Sequence, residues 1–171
     1  MIKFESENHF EKAFFRYMDE NRISPLTGIP VTYAATQVDM GEHGRADILI
    51  VEEFSGRKGL HIVELKITSL SFPDIGQICR YKDFVEKSGL MESLGAQYAN
   101  YSLVTHPSQS TPSMSCIARA AGIDLLYYEM SFDGVQFDSH DEFEPCEDRM
   151  SSAASAIVNR VNPKETEKEG C

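Results

Sequence analysis

Apolar positions near the start of the chain recur at helical spacing. In residues 6–20 Phe10, Phe14, Tyr17 and Met18 share one side, Ser6 is placed to cap the start, and Asn21 with S-P-L-T-G ends the run. From Ile29 the pattern becomes extended: residues 29–40 contain Val31, Thr32, Tyr33 and Val38, and G-E-H-G turns the chain. Two dense apolar runs follow, residues 45–52 (R-A-D-I-L-I-V-E) and 60–67. The turn-rich F-S-G-R-K-G between them predicts an antiparallel hairpin.

Helical spacing returns after Ser71, where S-F-P-D has the form of a capping box with proline in the first turn. That helix is predicted to reach Lys87 and stop at Ser88-Gly89. Residues 100–105 predict a strand, Thr111-Pro112 starts a small-residue helix closed by Gly122, residues 124–129 predict another strand, and residues 130–137 an edge strand. This order predicts an α/β fold with a mixed sheet flanked by helices. Residues 1–137 form the expected domain. Residues 138–171 read as an acidic, partly disordered tail, with 162–171 disordered.

Composition agrees with one globular domain: 171 residues, 42% hydrophobic. No run of 18 apolar residues offers a membrane span, and the N-terminus lacks the basic start and apolar stretch of a signal peptide. Cys79, Cys116, Cys146 and Cys171 show no C-x-x-C pair and read as reduced thiols of a cytoplasmic protein. The net charge of -11 is unusual for a nucleic-acid binder, but its distribution matters. Residues 1–137 carry 12 basic against 18 acidic side chains, and residues 138–171 carry 4 against 9.

Charged residues interrupt the apolar hairpin. Glu64 and Lys66, two apart, project to one side of a strand, and Asp47 is the odd charge before Ile48, Leu49, Ile50 and Val51. A turn centred on Ser55-Gly56 sets Asp47 directly opposite Glu64, on one face. Like charges facing each other in an apolar sheet are unfavourable without something positive between them, and a hard divalent cation with Lys66 alongside fits. In the next helix Gln77 and Tyr81 share a face, and Gly76 permits close approach. His43, His61 and His106 lack ligand spacing, and His61 falls by parity on the side opposite Glu64.

E-x-K alone is a weak signal, since a chain of this composition contains about one by chance. The combination is more specific. D-(x)16-E-x-K, preceded by a helix bearing a glutamate and followed by Q-x-x-x-Y, resembles the PD-(D/E)xK nuclease superfamily and its RecB-like branch. Y-S-L-V-T-H-P-S through A-A-G-I-D-L-L-Y-Y-E is similar to the C-terminal nuclease domain of NucS-type endonucleases. The resemblance covers residues 6–129. Ala46 stands in place of the motif's proline, and the separate N-terminal DNA-binding domain of NucS-type proteins has no counterpart in this sequence.

The resemblance implies a restriction-endonuclease-like core of αβββαβ type with an extra helix and strand. It implies Mg²⁺ or Mn²⁺ bound by Asp47, Glu64 and the carbonyl of Leu65, and Lys66 orienting or helping to deprotonate the attacking water. Glu11, with Glu7 as the alternative one turn earlier, would hold a second metal or its water. Gln77 and Tyr81 would brace the site or touch the nucleic-acid strand. The implied activity is metal-dependent hydrolysis of nucleic-acid phosphodiesters, DNA ahead of RNA. The rival is a catalytically weak or inactive nuclease-fold protein that binds or inhibits. So acidic a domain calls for a homodimer or a protein partner to supply affinity. Arg45, Arg57, Lys58, Arg80 and Lys82 are the residues expected to make the mouth of the site positive.

Overall fold

A computed structural model describes residues 4–131 and 134–138. The chain runs through α1 (Glu7–Asn21), β1 (Val31–Asp39), β2 (Arg45–Phe54), β3 (Arg57–Lys66), α2 (Phe72–Ser88), α3 (Leu90–Leu94), β4 (Tyr98–Thr105), α4 (Pro112–Ala120), β5 (Asp124–Ser131) and β6 (Gly134–Asp138). The six strands form one mixed sheet in sequence order. β1, β2 and β3 are an antiparallel meander, β3, β4 and β5 are parallel, and β6 returns antiparallel at the edge. The expected α/β class and the order αβββαβ, with added elements, are both present.

Local signals account for most boundaries. Ser6 accepts the His9 N–H at the start of α1, and Arg22 ends the helix in the left-handed conformation. The capping box at α2 is formed, with the Ser71 N–H donating to Asp74 at 2.8 Å, and Gly89 closes the helix at φ 71. The hairpin is tighter than expected. Ser55 (φ 52) and Gly56 (φ 76) make a two-residue turn, so β3 begins at Arg57 instead of residue 60. Helix α3 was not foreseen; five residues are too few to carry a periodic signal.

The sheet buries both faces. Leu49, Val51, Leu60, Ile62, Tyr101 and Leu103 pack with Ile78, Tyr81 and Val85 of α2 and with Met114 and Ala118 of α4. Ile48, Ile50, Val63, Leu65, Val104 and Tyr128 pack with Phe10, Phe14 and Met18 of α1. Each such fully buried side chain contributes about 1.5–3 kcal/mol. Both parallel connections carry their helix on one side, as right-handed crossovers require. The ends of β2 and β3 therefore lie between α1 and α2.

Cys79 is free and exposed, and Cys146 and Cys171 lie outside the described residues. The tail at 138–171 lies outside the described residues, except Asp138, whose backbone completes β6. No helix among the described residues is long and apolar enough to cross a membrane.

Candidate active site

The β2–β3 ladder runs from Phe54↔Arg57 to Ile48↔Val63, the register that sets residue 47 against residue 64. Alternation places Asp47 on the side of Leu49 and Val51, and Glu64 on the side of Leu60 and Ile62, both facing α2. The Leu65 N–H donates to Asp47 Oδ2 at 2.8 Å, so the carboxylate satisfies a backbone donor of the neighbouring strand. Lys66 Nζ donates to Glu64 Oε1 at 2.9 Å and lies 3.8 Å from Glu7 Oε1. Glu64 is 2% exposed, and its Oε2 is buried with no hydrogen-bond partner.

The helices bring the remaining expected residues to the same place. From α1, Glu11 accepts a hydrogen bond from the Gln37 side-chain amide, which also donates to Asp47 Oδ1 at 3.3 Å. Glu7 and Glu11 thus both reach the cluster, Glu7 at the Lys66 end and Glu11 at the Asp47 end. From α2, Gln77 donates to the Tyr81 hydroxyl, which donates to the Arg45 carbonyl at 2.7 Å. Tyr81 is fully buried and bonded within the protein on both sides of its hydroxyl. This chain of bonds ties α2 to β2 two residues before Asp47.

The electrostatics are those of crowded acids with one amine. Burial, and then the charge of Asp47, push the Glu64 carboxyl up to about 7, against the opposing pull of Lys66. Burial also raises Asp47, and the Leu65 N–H and Lys66 only partly oppose it. Burial works against the charge on Lys66, but Glu64, Glu7 and Asp47 outweigh it, and its pKa is raised. Lys66 is therefore an ammonium donor here. Burial and the charge of Glu64 push Tyr81 up to about 12, which keeps its hydroxyl a donor.

Among the described residues, no three His, Cys, Asp or Glu side chains are grouped so that they could hold a metal ion. The set present suits a cation that retains most of its waters and takes one or two carboxylates. A buried, unpartnered carboxylate oxygen on Glu64, beside the half-buried carboxylate of Asp47, is the donor arrangement such an ion would satisfy.

Other charged residues fall elsewhere. Arg57 and Lys58 stand at the far end of β3 from Lys66, so they cannot line its mouth, and Arg57 lies over the Tyr98 ring. Lys82 lies 6.0 Å over the Tyr101 ring. Arg45 flanks the site and lines an open groove with Gln37, Asp39, Gly41 and Gly44. His61 is buried on the α1 side, 2.7 Å from Ser102 Oγ and 3.8 Å from Glu52. His43 lies 3.8 Å from Asp83, and His106 accepts the Ser108 N–H within its own turn.

Gln37 is the site residue that sequence reasoning missed. Its backbone is left-handed, φ 52, inside an antiparallel strand, a conformation that costs a non-glycine residue about 1–2 kcal/mol. A glutamine among apolar and polar strand residues carries no sequence mark of this.

No family model matches the sequence, and no curated protein matches it. Among solved structures, a repair endonuclease from Pyrococcus abyssi is similar at 20% identity and TM-score 0.47, over 73% of this chain and 47% of that one. Pyrococcus furiosus SfsA in complex with Ca²⁺ is similar at 17% identity and TM-score 0.33, over 77% of this chain and 60% of that one. The chain spans less than two thirds of the length of either. Likenesses this distant leave the chemistry of the site to be argued from its own residues.

Proposed function

We propose that this protein is a metal-dependent nuclease that hydrolyses phosphodiester bonds of nucleic acid, with DNA the preferred substrate. The observation that carries the reading is the Asp47–Glu64–Lys66 group: a half-buried and a buried carboxylate from neighbouring strands, the buried one with an unpartnered oxygen, and an ammonium 2.9 Å from its other oxygen. Such a group is a poor structural element, because its acids repel and are desolvated. It is a good receptor for a cation. The preference for DNA rests on the resemblance of the E-x-K and Q-x-x-x-Y segments to PD-(D/E)xK nucleases.

Asp47 and Glu64, with the Leu65 carbonyl, would hold Mg²⁺ or Mn²⁺, and Glu11 a second ion or its water. The bound ion supplies a Lewis acid that offsets phosphoryl charge and makes water a better nucleophile at neutral pH. Lys66, held protonated, orients the attacking water and adds positive charge where negative charge develops. Gln77 and Tyr81 keep β2 in place through the Arg45 carbonyl. A net charge of -11 makes affinity for a duplex the weak point of an isolated copy, so a second copy or a protein partner supplies it.

The test is incubation with Mg²⁺ or Mn²⁺ and a panel of labelled DNA and RNA structures, beside Asp47→Ala and Lys66→Ala. Cleavage that chelation abolishes and both variants lack is the expected result. Tight binding without cleavage, unchanged in Asp47→Ala, would replace the enzyme with a binding protein.

A further inference from the structure

Gln37 is joined to the site by geometry alone. The flanking pairs Thr36↔Ile48 and Val38↔Ala46 keep the β1–β2 ladder in register on both sides of it, so Gln37 stands opposite Asp47. Its own backbone departs into the left-handed region at φ 52. Its single amide nitrogen donates to a carboxylate of α1, Glu11, and to one of β2, Asp47. Two like-charged acids from different elements are thereby held by one neutral donor. Gln37 is also exposed and forms part of the groove with Asp39, Gly41, Gly44 and Arg45.

We infer that Gln37 is a positioning residue, which holds Glu11 and Asp47 in place for their separate parts in the proposed divalent-metal site. The inference rests on the proposed nuclease site and adds a residue to it that no motif supplies. Asp47 Oδ2 is held by the Leu65 N–H, whereas its Oδ1 and Glu11 rely on the amide: Glu11 projects from a half-exposed part of α1, and its repulsion of Asp47 favours rotation into solvent. Carboxylates that ligate a metal depend on such outer hydrogen bonds, and losing one lowers metal affinity 10- to 100-fold. The left-handed backbone fits the same account. A strained residue persists in a regular strand when the surrounding structure holds it there, and such residues concentrate at functional sites.

Gln37→Gly tests this without endangering the fold, because glycine takes φ 52 freely and only the amide is lost. Mn²⁺ affinity of the nucleic-acid-free protein, measured by calorimetry, is compared for wild type, Gln37→Gly and Asp47→Ala, with melting temperature and the kcat and KM of cleavage alongside. The expected result is Mn²⁺ binding 10- to 100-fold weaker in Gln37→Gly. Its melting temperature should equal or exceed the wild type's, with kcat reduced and KM for nucleic acid unchanged. A purely structural role would lower the melting temperature and leave Mn²⁺ affinity alone, and that pattern overturns the inference. So does Mn²⁺ affinity within twofold of wild type in Gln37→Gly while Asp47→Ala abolishes binding; the metal site then stands without Gln37. Wild-type protein with no Asp47-dependent Mn²⁺ binding overturns the nuclease reading itself, and this inference with it.

Discussion

Glu64 and Lys66 sit on one strand with carboxylate and ammonium 2.9 Å apart, yet the second carboxylate oxygen of Glu64 is buried and bonded to nothing. One amine does not balance this site, where Asp47 adds a half-buried carboxylate and Glu7 and Glu11 add two more at its margin. The excess of acid over base is what a divalent cation would correct, and it gives the ion-free protein measurable weaknesses.

Cleavage should depend on each member of the group. Asp47→Asn, Glu64→Gln and Lys66→Ala are expected to lower kcat by about 100-fold or more, the scale on which removal of one preorganised electrostatic group acts. Initial rates on the best substrate of the panel measure this. Wild-type rates in folded Lys66→Ala would remove the amine from the mechanism.

Stability should fall as pH rises. The Glu64 pKa is raised from its ordinary 4.5 to about 7, so its protonated form is favoured by folding; that stabilisation is complete below pH 4.5 and lost as pH passes 7. Asp47 shifts in the same direction. The Glu64 shift corresponds to about 3 kcal/mol. Glu52 has the opposite sign: its burial is outweighed by His61, Ser24 and Thr27, its pKa is lowered, and its contribution is lost only as pH falls below the ordinary carboxylate range. Urea unfolding with chelator present should show less stability at pH 8 than at pH 5, a slope that Glu64→Gln flattens. Adding Mn²⁺ should stabilise more at pH 8 than at pH 5. Equal slopes for wild type and Glu64→Gln would show that Glu64 is not strained.

Tyr81→Phe isolates the brace. It leaves the Arg45 carbonyl and the Gln77 amide without their shared partner in a part-buried place, at a cost of about 1 kcal/mol. Because Tyr81 acts through β2 and not on substrate, the expected loss of kcat is about tenfold, well short of that for Asp47→Asn. Denaturation midpoints and rates on the same preparation check both parts. A kcat loss as deep as that of Asp47→Asn would mean that Tyr81 takes part directly.

The second buried polar group should behave as structure only. Glu52 is 2% exposed, accepts from Thr27 at 2.8 Å, and faces His61, whose Nε2 pairs with Ser102. Glu52→Ala should cost about 1–3 kcal/mol, the range for leaving a buried polar partner unsatisfied. The remaining folded fraction should keep its turnover, since Glu52 lies five residues beyond Asp47 along β2. Chemical denaturation and active-fraction kinetics separate the two effects.

Sequence alone determined whatever depends on short range. The hairpin register followed from Ser55-Gly56 because a tight turn fixes pairing along the whole ladder, and the facing of Asp47 and Glu64 followed from the two-residue alternation of a strand. The capping box at Ser71 and the i,i+4 pairing of Gln77 with Tyr81 were local for the same reason. Tertiary structure decided what distance along the chain conceals. It placed Arg57 and Lys58 at the opposite end of the strand, gave Tyr81 its bond to Arg45, and buried His61 against Ser102. It also brought Gln37 between Glu11 and Asp47, partners 26 and 10 residues away, through a backbone twist that a polar strand residue does not announce. Periodicity reports which face a residue takes, whereas its partner from another element is set by how helix and sheet pack.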